Sequence, residues 1–322
     1  MLKEQVQRAA LPRPLASQPG FAKRVAKDFK KNKWIYFMLL PIMAYYVIFH
    51  YLPMYGVQIA FKNFSASQGI WSSPWAGFDH FQSLFNSFYF YRILTNTLLI
   101  SLYDLIFAFP ASIVLALLMN EIRQSWYKRT VQSLTYMPHF ISLVVVVGII
   151  LDFLSSDGLI NNIYTALSGK DSILFMQRSE FFRTIYIGSG IWQQVGWGSI
   201  IYLAAISNLD PSLYEAAKVD GASRFKQLLH ITLPGLIPII TILFILRIGS
   251  LMVVGDEKIL LMYNSSIYET ADVIGTYVYR KGILSADYSY SAAVGLFNSV
   301  INFVLLVFAN SFSRKLNGNS LW

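Results

Sequence analysis

Residue types that carry catalytic or metal chemistry are few and scattered in this 322-residue sequence. It contains no cysteine, which excludes disulfides, thiolate metal sites and thiol nucleophiles. The four histidines, which show no metal-ligand spacing, are His50, His80, His139 and His230. The spacing supports no serine–histidine–acid set or close carboxylate pair, and the chain has no phosphate-binding G-x-x-x-x-G-K-[ST] loop. The sequence therefore predicts no catalytic residue, no metal ligand and no cofactor bound to this chain.

Two ionisable residues, Asp104 and Arg247, lie within long apolar runs. Charged side chains are costly inside a membrane and are functional candidates by default. At 1.5 Å per residue, Arg247 would lie roughly 10 Å and Asp104 roughly 15 Å from the outer ends of their runs, so the two side chains could pair. A structural ion pair and an arginine that attracts an acidic sugar both remain open.

The fourth apolar run carries polar and aromatic residues at three- and four-residue spacing. Gly190, Gln193, Gln194 and Trp197 would share one face of a helix. Amide groups and an aromatic plane suit the hydroxyls and ring faces of a sugar. The alternative is that these polar residues hold neighbouring helices together through hydrogen bonds.

These residues belong to a chain of membrane composition. Hydrophobic residues make up 55% of it and charged residues only 13%, against roughly 25% charged in soluble domains. Six predominantly apolar runs approach the ~20 residues that cross a bilayer. They are residues 34–54, 94–119, 131–154, 184–206, 235–254 and 290–312. We therefore predict an all-α integral membrane protein with six transmembrane helices.

Basic residues indicate how these helices are oriented. Lys and Arg are concentrated before the first run and in the short connections after the second and fourth runs, which is typical of the cytoplasmic side. The predicted parts are a basic cytoplasmic tail (1–33), a transmembrane domain (34–312) and a cytoplasmic C-terminus (313–322). Within the domain, outside loops would cover residues 57–93, 155–183 and 255–289, and a cytoplasmic loop would cover residues 207–234.

The net charge of +9 is carried largely by the tail, so we predict no nucleic-acid partner. The tail is either a solvated, partly disordered segment or a surface for lipid or a partner protein.

The predicted cytoplasmic loop has the pattern of a helix, a turn and a second helix. Asp210 can cap the first helix, and Pro211 suits its first position because proline lacks the N–H that would be unsatisfied there. Gly221 can adopt the left-handed conformation that ends the first helix, and Ser223 can cap the second helix. We expect Pro234 to break that helix.

The second helix of this loop has an apolar face of Phe225, Leu228, Leu229 and Thr232. An amphipathic pair of short helices needs another surface to cover its apolar side. Either a protein partner or the chain's own spans must provide that surface.

The spacing within the loop resembles a known signature. Glu215-Ala216-Ala217 is followed by Gly221 and then by Ile231-Thr232-Leu233-Pro234, which resembles the EAA signature of ABC importer permeases. In that family the loop is a coupling helix seated in a cleft of an ATPase subunit. The coupling residues so implied are Glu215, Ala216, Ala217, Asp220, Gly221, Ile231, Leu233 and Pro234. For Glu215 the alternative to an ATPase contact is that it stabilises its own loop.

The resemblance extends over almost the whole chain. Residues 51–62, 77–81, 96–98, 136–140 and 196–206 resemble permeases for polysaccharide-derived oligosaccharides. This implies the type I ABC importer permease fold in a bacterial inner membrane, with an alginate oligosaccharide as substrate. In that family the third to fifth spans line the sugar site. The implied substrate-path residues are His139, Gly190, Gln193, Gln194, Trp197 and Arg247.

The same resemblance implies a complex of several chains. A second, non-identical permease would complete the membrane core, and two ATPase subunits would bind ATP and Mg²⁺ on the cytoplasmic side. A periplasmic or lipoprotein binding protein would deliver the oligosaccharide, and ATP hydrolysis would drive alternating access. The chain itself would be a transport subunit in membrane lipid, and not an enzyme.

Two other classes of function remain open from the residues alone. A channel or secondary transporter would need a polar pathway but no ATPase-coupling loop. An intramembrane enzyme would need catalytic residues that converge within the spans.

Overall fold

The computed structural model describes Val25, residues 28–318 and residues 320–321, the side chains of residues 316 and 317 excepted. Most of the predicted basic tail therefore lies outside the described residues. The described part of the chain contains no β-strand, only an isolated antiparallel bridge between Lys62 and Trp75. It divides into two units, residues 1–57 and 58–322.

From Lys33 onward, the described residues of the first unit form one apolar helical run. It consists of α1 (Lys33–Tyr46), a π-helical turn (Val47–Tyr51) and α2 (Leu52–Met54), and it leads into a 3-10 helix (Tyr55–Phe61). Its large apolar side chains are mostly exposed on all sides. A helix that is apolar all round is typical of a membrane span, because lipid surrounds its side chains. The backbone groups of a span are bonded within the helix, since lipid offers them no partners.

Helices make up most of the second unit. Those up to residue 168 are α3 (Gly69–Ser72), α4 (Asp79–Phe85), α5 (Phe90–Tyr103), α6 (Phe109–Glu121), α7 (Ser125–Tyr136), α8 (Leu143–Phe153) and α9 (Leu159–Ser168). A π-helical segment, Asp104–Ala108, joins α5 to α6, and a 3-10 turn, Met137–Phe140, follows α7.

The remaining α-helices are α10 (Ser179–Ser207), α11 (Pro211–Val219), α12 (Arg224–Gln227), α13 (Leu233–Gly249), α14 (Asp256–Met262), α15 (Tyr268–Ala271), α16 (Ile274–Tyr279) and α17 (Tyr288–Asn317). Two π-helical segments extend these helices, Leu228–Thr232 between α12 and α13 and Arg280–Leu284 after α16. Two 3-10 turns, Phe175–Gln177 and Ser265–Ile267, lie in the connections.

Within the described residues, four continuous helical runs are long and apolar enough to cross a membrane. They cover Lys33–Phe61, Phe90–Glu121, Arg224–Gly249 and Tyr288–Lys315. The bent pair Ser125–Phe140 and Leu143–Phe153 counts as a fifth if it is one span. Helix α10 has 29 residues, yet its Gly, Ser and Gln content keeps it out of this set. Six spans therefore stay a prediction.

The predicted third span, residues 131–154, is wrong as a single straight helix. The run ending at Phe140 and α8 meet at an angle of 102°. Ile141 is extended, and the hydroxyl of Ser142 caps α8 by accepting a hydrogen bond from Val145 N at 3.4 Å. A new cap starts a new helix, so the backbone turns here.

The predicted fifth span, residues 235–254, has different ends. Pro234 does not break the helix: α12, the π-helical turn and α13 continue from Arg224 to Gly249. The wider π turn directly before α13 relaxes the register in which a proline would otherwise clash with the preceding turn. The loop is therefore shorter than the predicted 207–234, because its second helix is the start of the helical run Arg224–Gly249.

The predicted outside loop 255–289 is largely helical and forms much of the core. Ile259, Met262, Ile267 and Val273 are buried together with Phe182 of α10 in one apolar cluster. Ile274 and Tyr277 pack with Ile93 and Val294 in a second cluster. Short helices with one buried face thus contribute to both apolar clusters of the second unit.

A buried carboxylate joins several of these segments. Asp272, which is 0% exposed, accepts from Arg92 Nη2 at 2.9 Å and from both terminal nitrogens of Arg280 at 2.8 Å. Its backbone oxygen accepts from the amide of Asn96 at 3.0 Å. The Asn96 side-chain oxygen in turn accepts from Arg183 Nη2 at 2.7 Å. This Asp272 network links α5, α10 and the segment after α16, and the sequence patterns gave no sign of it.

Candidate coupling and substrate-path sites

The helix–turn–helix of α11 and α12 has the local structure that its capping residues predict. Asp210 Oδ1 accepts from Ser212 N at 2.9 Å at the start of α11, with Pro211 in the first helical position. The backbone N–H of Ser212 holds the pKa of the Asp210 carboxyl below its usual range. A negative charge at a helix N-terminus is favourable, so the cap is strongest when Asp210 is ionised.

Gly221 ends the first helix in the left-handed conformation, with φ of 72°. The backbone N–H of Ala222 returns to the oxygen of Ala217 at 2.8 Å, as in a glycine-terminated helix. Ser223 Oγ then accepts from Lys226 N at 3.4 Å and caps α12. The two helices are thus separated by a defined turn and not by a flexible linker.

Two contacts link α11 and the residue before its cap to the span that follows. The Tyr214 hydroxyl lies 2.9 Å from Thr232 Oγ1 in the π-helical segment. The side chain of Leu209 packs directly on Gly235, leaving no space for a Cβ there. A displacement of α11 would therefore be passed to α13, because Tyr214 contacts the π-helical segment that leads into α13 and Leu209, just before α11, packs on α13 itself.

The loop has an exposed tip. Glu215, Ala216, Asp220 and Gly221 are exposed, as are the apolar residues Leu213 and Val219 on the same short helix. Of the other implied coupling residues, Ala217, Ile231 and Leu233 are half-buried and Pro234 is exposed. Exposed apolar residues among polar ones are typical of a protein contact surface.

The predicted apolar face of the second helix is divided. Phe225 and Leu229 are exposed, whereas Leu228 is half-buried and Thr232 is buried. The chain's own helices therefore cover one part of this face and leave the other part open. Coverage of the open part by a protein partner stays a prediction.

A groove of about 550 Å³ lies beside the loop. The end of α6 forms one wall, with Asn120 and Glu121, and the loop residues Tyr214, Lys218 and Arg224 form the other. Arg224 Nη1 and Glu121 Oε2 are 3.5 Å apart across it. Both side chains are well exposed, so this ion pair adds little stability.

A second group of site residues meets where the bent third run faces α10. The rings of His139 and Trp197 are stacked, with centroids 4.4 Å apart and an interplanar angle of 3°. His139 Nδ1 lies 2.9 Å from Gln194 Oε1, and Phe140 meets the Trp197 ring edge-on at 5.7 Å. We call His139, Gln194 and Trp197 the aromatic–amide cluster. It presents an exposed indole beside polar groups, a combination that can bind a sugar ring.

Gln193 and Gly190 do not join this cluster. Gln193 is buried whereas Gln194 is exposed, because neighbouring helical residues point about 100° apart. The ammonium of Lys258 lies 3.5 Å from the point where a Cβ would stand on Gly190. Gln193 therefore lies apart from the exposed cluster, and its place in the substrate path stays a prediction. Phe140 was missed, although it directly follows His139.

Arg247 and Asp104 form an ion pair, as one of the two sequence hypotheses expected. Arg247 Nε donates to Asp104 Oδ2 at 2.8 Å, and Nη2 donates to the same oxygen. The side chains are 51% and 25% exposed, so a small cavity gives access to both of them. Tyr186, Ser101 and Ser250 line the same cavity. We call it the Arg247 cavity.

Replacing Asp104 with asparagine is expected to destabilise the protein by about 2 kcal/mol, because it leaves the Arg247 charge without its partner. The double variant D104N/R247Q should recover more than half of this loss, since neither charge then remains. Thermal unfolding of purified protein measures both effects. Equal losses from the single and the double variant would mean that the pair contributes nothing.

With these sites described, comparison with known proteins identifies the family. A family model described as "Binding-protein-dependent transport system inner membrane component" matches residues 108–318, from the start of α6 to the end of α17. The chain belongs to this family. It is thus a multi-pass inner-membrane permease subunit of an ABC-type importer, a transport protein and not an enzyme, as the EAA-like loop implied. Its all-α fold is the type I permease fold.

Relatives and solved structures support the same assignment over nearly the full length. The chain is 46% identical over 294 residues to protein LplB of Bacillus subtilis (strain 168), covering 91% of this chain and 92% of that protein. It is 41% identical over 300 residues to the polygalacturonan/rhamnogalacturonan transport system permease protein YteP of the same organism, covering 93% and 94%.

Two crystal structures are similar in fold as well as in sequence. One is a bacterial ABC transporter involved in the import of the acidic polysaccharide alginate, with a TM-score of 0.85, 45% identity and coverage of 91% of this chain and 99% of that chain. The other is a bacterial alginate ABC transporter in complex with an alginate pentasaccharide-bound periplasmic protein, with a TM-score of 0.86, 44% identity and coverage of 92% and 100%.

Proposed function

We propose that this permease imports uronate-containing oligosaccharides, with alginate oligosaccharides as the first candidate. The observation that carries the proposal is the similarity over nearly the whole chain to bacterial transporters of the acidic polysaccharide alginate. The relative YteP points to polygalacturonan and rhamnogalacturonan as a second candidate. Both candidates are acidic polysaccharides, so they share the carboxylate.

In this proposal the helices cross the inner membrane six times, with both termini in the cytoplasm. The exposed tip of α11 with Glu215 seats in an ATPase subunit, and two such subunits bind ATP and Mg²⁺. A second, non-identical permease completes the pathway, and a binding protein delivers the sugar from outside. Closure of the ATPases moves α11, and its contacts with α13 transmit the motion to the spans.

The substrate path runs along α10 between the Arg247 cavity and the aromatic–amide cluster. Tyr186 at the cavity and Trp197 in the cluster are eleven residues apart on this helix, or roughly 16 Å. One end offers an arginine and the other an indole with an amide. Carboxylates and sugar rings are the groups that these side chains recognise.

The test is ATP hydrolysis by the complex of this chain with its partner permease, ATPases and binding protein in liposomes. Addition of alginate oligosaccharides should stimulate hydrolysis and be accompanied by their uptake. Stimulation by polygalacturonan fragments alone would identify the second candidate. Uptake without ATP would instead support the rival class, a channel or secondary transporter not coupled to an ATPase.

Replacing Trp197 with alanine is expected to raise the oligosaccharide concentration needed for half-maximal stimulation about tenfold, because a large aromatic contact is lost. Trp192 offers a matched control, since it lies on the same helix and both side chains are 46% exposed. W192A should leave that concentration nearly unchanged. Equal effects of the two substitutions would contradict a sugar contact at Trp197.

A further inference from the structure

Lys258 on α14 is buried without an acidic partner. It is 7% exposed, and its ammonium donates to the backbone oxygen of Tyr186 and to Ser189 Oγ, each at 2.9 Å. Among the described residues it takes part in no ion pair. Burying an ammonium that forms no ion pair costs stability, which makes Lys258 a candidate functional residue.

The position of Lys258 is between the two ends of the proposed substrate path. Its Nζ lies 4.7 Å from the centre of the Tyr186 ring, and Tyr186 lines the Arg247 cavity. On the other side, the ammonium is 3.5 Å from the point where a Cβ would stand on Gly190. Because Gly190 has no side chain, nothing on this residue covers the ammonium. Gln194 of the aromatic–amide cluster follows one helical turn later, about 6 Å along α10.

No carboxylate among the described residues forms an ion pair with Lys258. Asp104 pairs with Arg247, and Asp256 on α14 makes no ion pair within the described part of the chain. An ammonium has three N–H donors, and the described residues accept two of them from Lys258. The remaining donor and the unpaired charge suit a carboxylate.

We propose that Lys258 binds a carboxylate of the transported sugar and makes the permease select acidic over neutral oligosaccharides. The inference rests on the proposed function, which it extends by naming a specificity residue outside the predicted substrate path. Gly190 is part of the site, because its missing side chain opens the wall of α10 to the ammonium. Arg247 serves the next carboxylate toward the outer side.

The experiment compares two probes of equal length, an alginate tetrasaccharide and its carboxyl-reduced neutral counterpart. Their binding to the assembled complex in nanodiscs is measured by calorimetry. K258Q should weaken binding of the acidic probe about tenfold or more, as expected for the loss of one charge-assisted hydrogen bond, and leave binding of the neutral probe unchanged. K170Q is the control, since Lys170 is exposed in the connection after α9.

Two results would overturn the proposal. Unchanged acidic binding in K258Q would do so, and so would an equal loss for both probes, which would indicate a structural role. Oligosaccharide-stimulated ATP hydrolysis of the wild-type complex distinguishes a failure of the proposed function from a failure of the inference on Lys258. If no oligosaccharide stimulates it, the proposed function fails and this inference with it. If stimulation is normal and K258Q binds like K170Q, only the role of Lys258 fails.

A pH series on the wild type and on K258R tests the same idea without removing the charge. Burial lowers the pKa of Lys258 to about 8, an effect that Asp104 partly opposes. The ammonium is therefore lost as the pH rises from 7 to 9, whereas a uronate, with a pKa of ~4, stays ionised. Affinity for the acidic probe should fall over this range in the wild type and stay level in K258R.

The neighbouring groups do not explain such a change. The titratable and charged groups around Lys258 are Tyr186 on α10, Asp104 on the π-helical segment, Arg247 on α13 and Asp256 on its own helix. Burial raises the pKa of Asp256 to about 6, which is below the range of the test. A pH response that is identical in K258R and wild type would contradict the assignment.

Discussion

Replacing Gly221 with alanine is expected to reduce oligosaccharide-stimulated ATP hydrolysis at least tenfold. Gly221 holds φ of 72°, a conformation that costs a residue with a Cβ about 1–2 kcal/mol. The turn can relieve this strain only by changing the direction between α11 and α12. The exposed tip at Glu215 and Asp220 would then meet the ATPase in the wrong orientation, while basal hydrolysis by the ATPases continues.

Gly169 offers a matched control for this experiment. It has φ of 66°, and neither glycine has an atom within 4 Å of its Cβ position. G169A therefore introduces the same strain at the end of α9, on the opposite side of the predicted topology. It should leave the coupling intact. If both variants lower stimulated hydrolysis equally, general destabilisation and not coupling explains the effect of G221A.

Replacing Asp272 with asparagine is expected to destabilise the protein by about 3–5 kcal/mol, the largest effect we expect on stability. Asp272 is fully buried, and its carboxylate accepts from Arg92, Arg280 and Thr276. An amide would leave two arginines without a counter-charge. The measurement is the midpoint of thermal unfolding of the purified permease complex.

The control for this variant is D171N, because Asp171 is exposed in the connection after α9. It should leave the unfolding midpoint within about 1 °C of the wild type, as surface substitutions usually do. A D272N protein that unfolds at the wild-type temperature would mean that the Asp272 network does not hold the outer helices together.

The local structure of the helix–turn–helix formed by α11 and α12 is what sequence reasoning predicted best. Caps act over three or four residues, so Asp210, Gly221 and Ser223 mark their helix ends without any tertiary information. Pro234 misled the prediction because its effect depends on the turn before it. A π-helical turn accepts the proline, and neither its existence nor its position follows from residue types alone.

The substrate path stays a prediction, and the structure shows only which of its predicted residues lie together. Periodicity placed Gln194 and Trp197 on one face, and a resemblance added His139. Periodicity could not separate Gln193 from Gln194 and Trp197, because which side of a helix is buried depends on the neighbouring helices. Lys258 and Asp272 were missed since they lie in a segment whose short helices carry no long apolar pattern. A buried charge is visible only when its partners, distant in sequence, are placed around it.

The sequence by itself therefore determined that this is an apolar, helical membrane chain with an EAA-like loop, because composition, run length and capping are local properties. Only the tertiary structure decided which charges meet. Asp104 and Arg247 are separated by more than a hundred residues and form a pair, Lys258 is buried without an acid, and Asp272 gathers arginines from two other segments. Long-range packing brings these groups together, and their burial gives the charges their energetic weight.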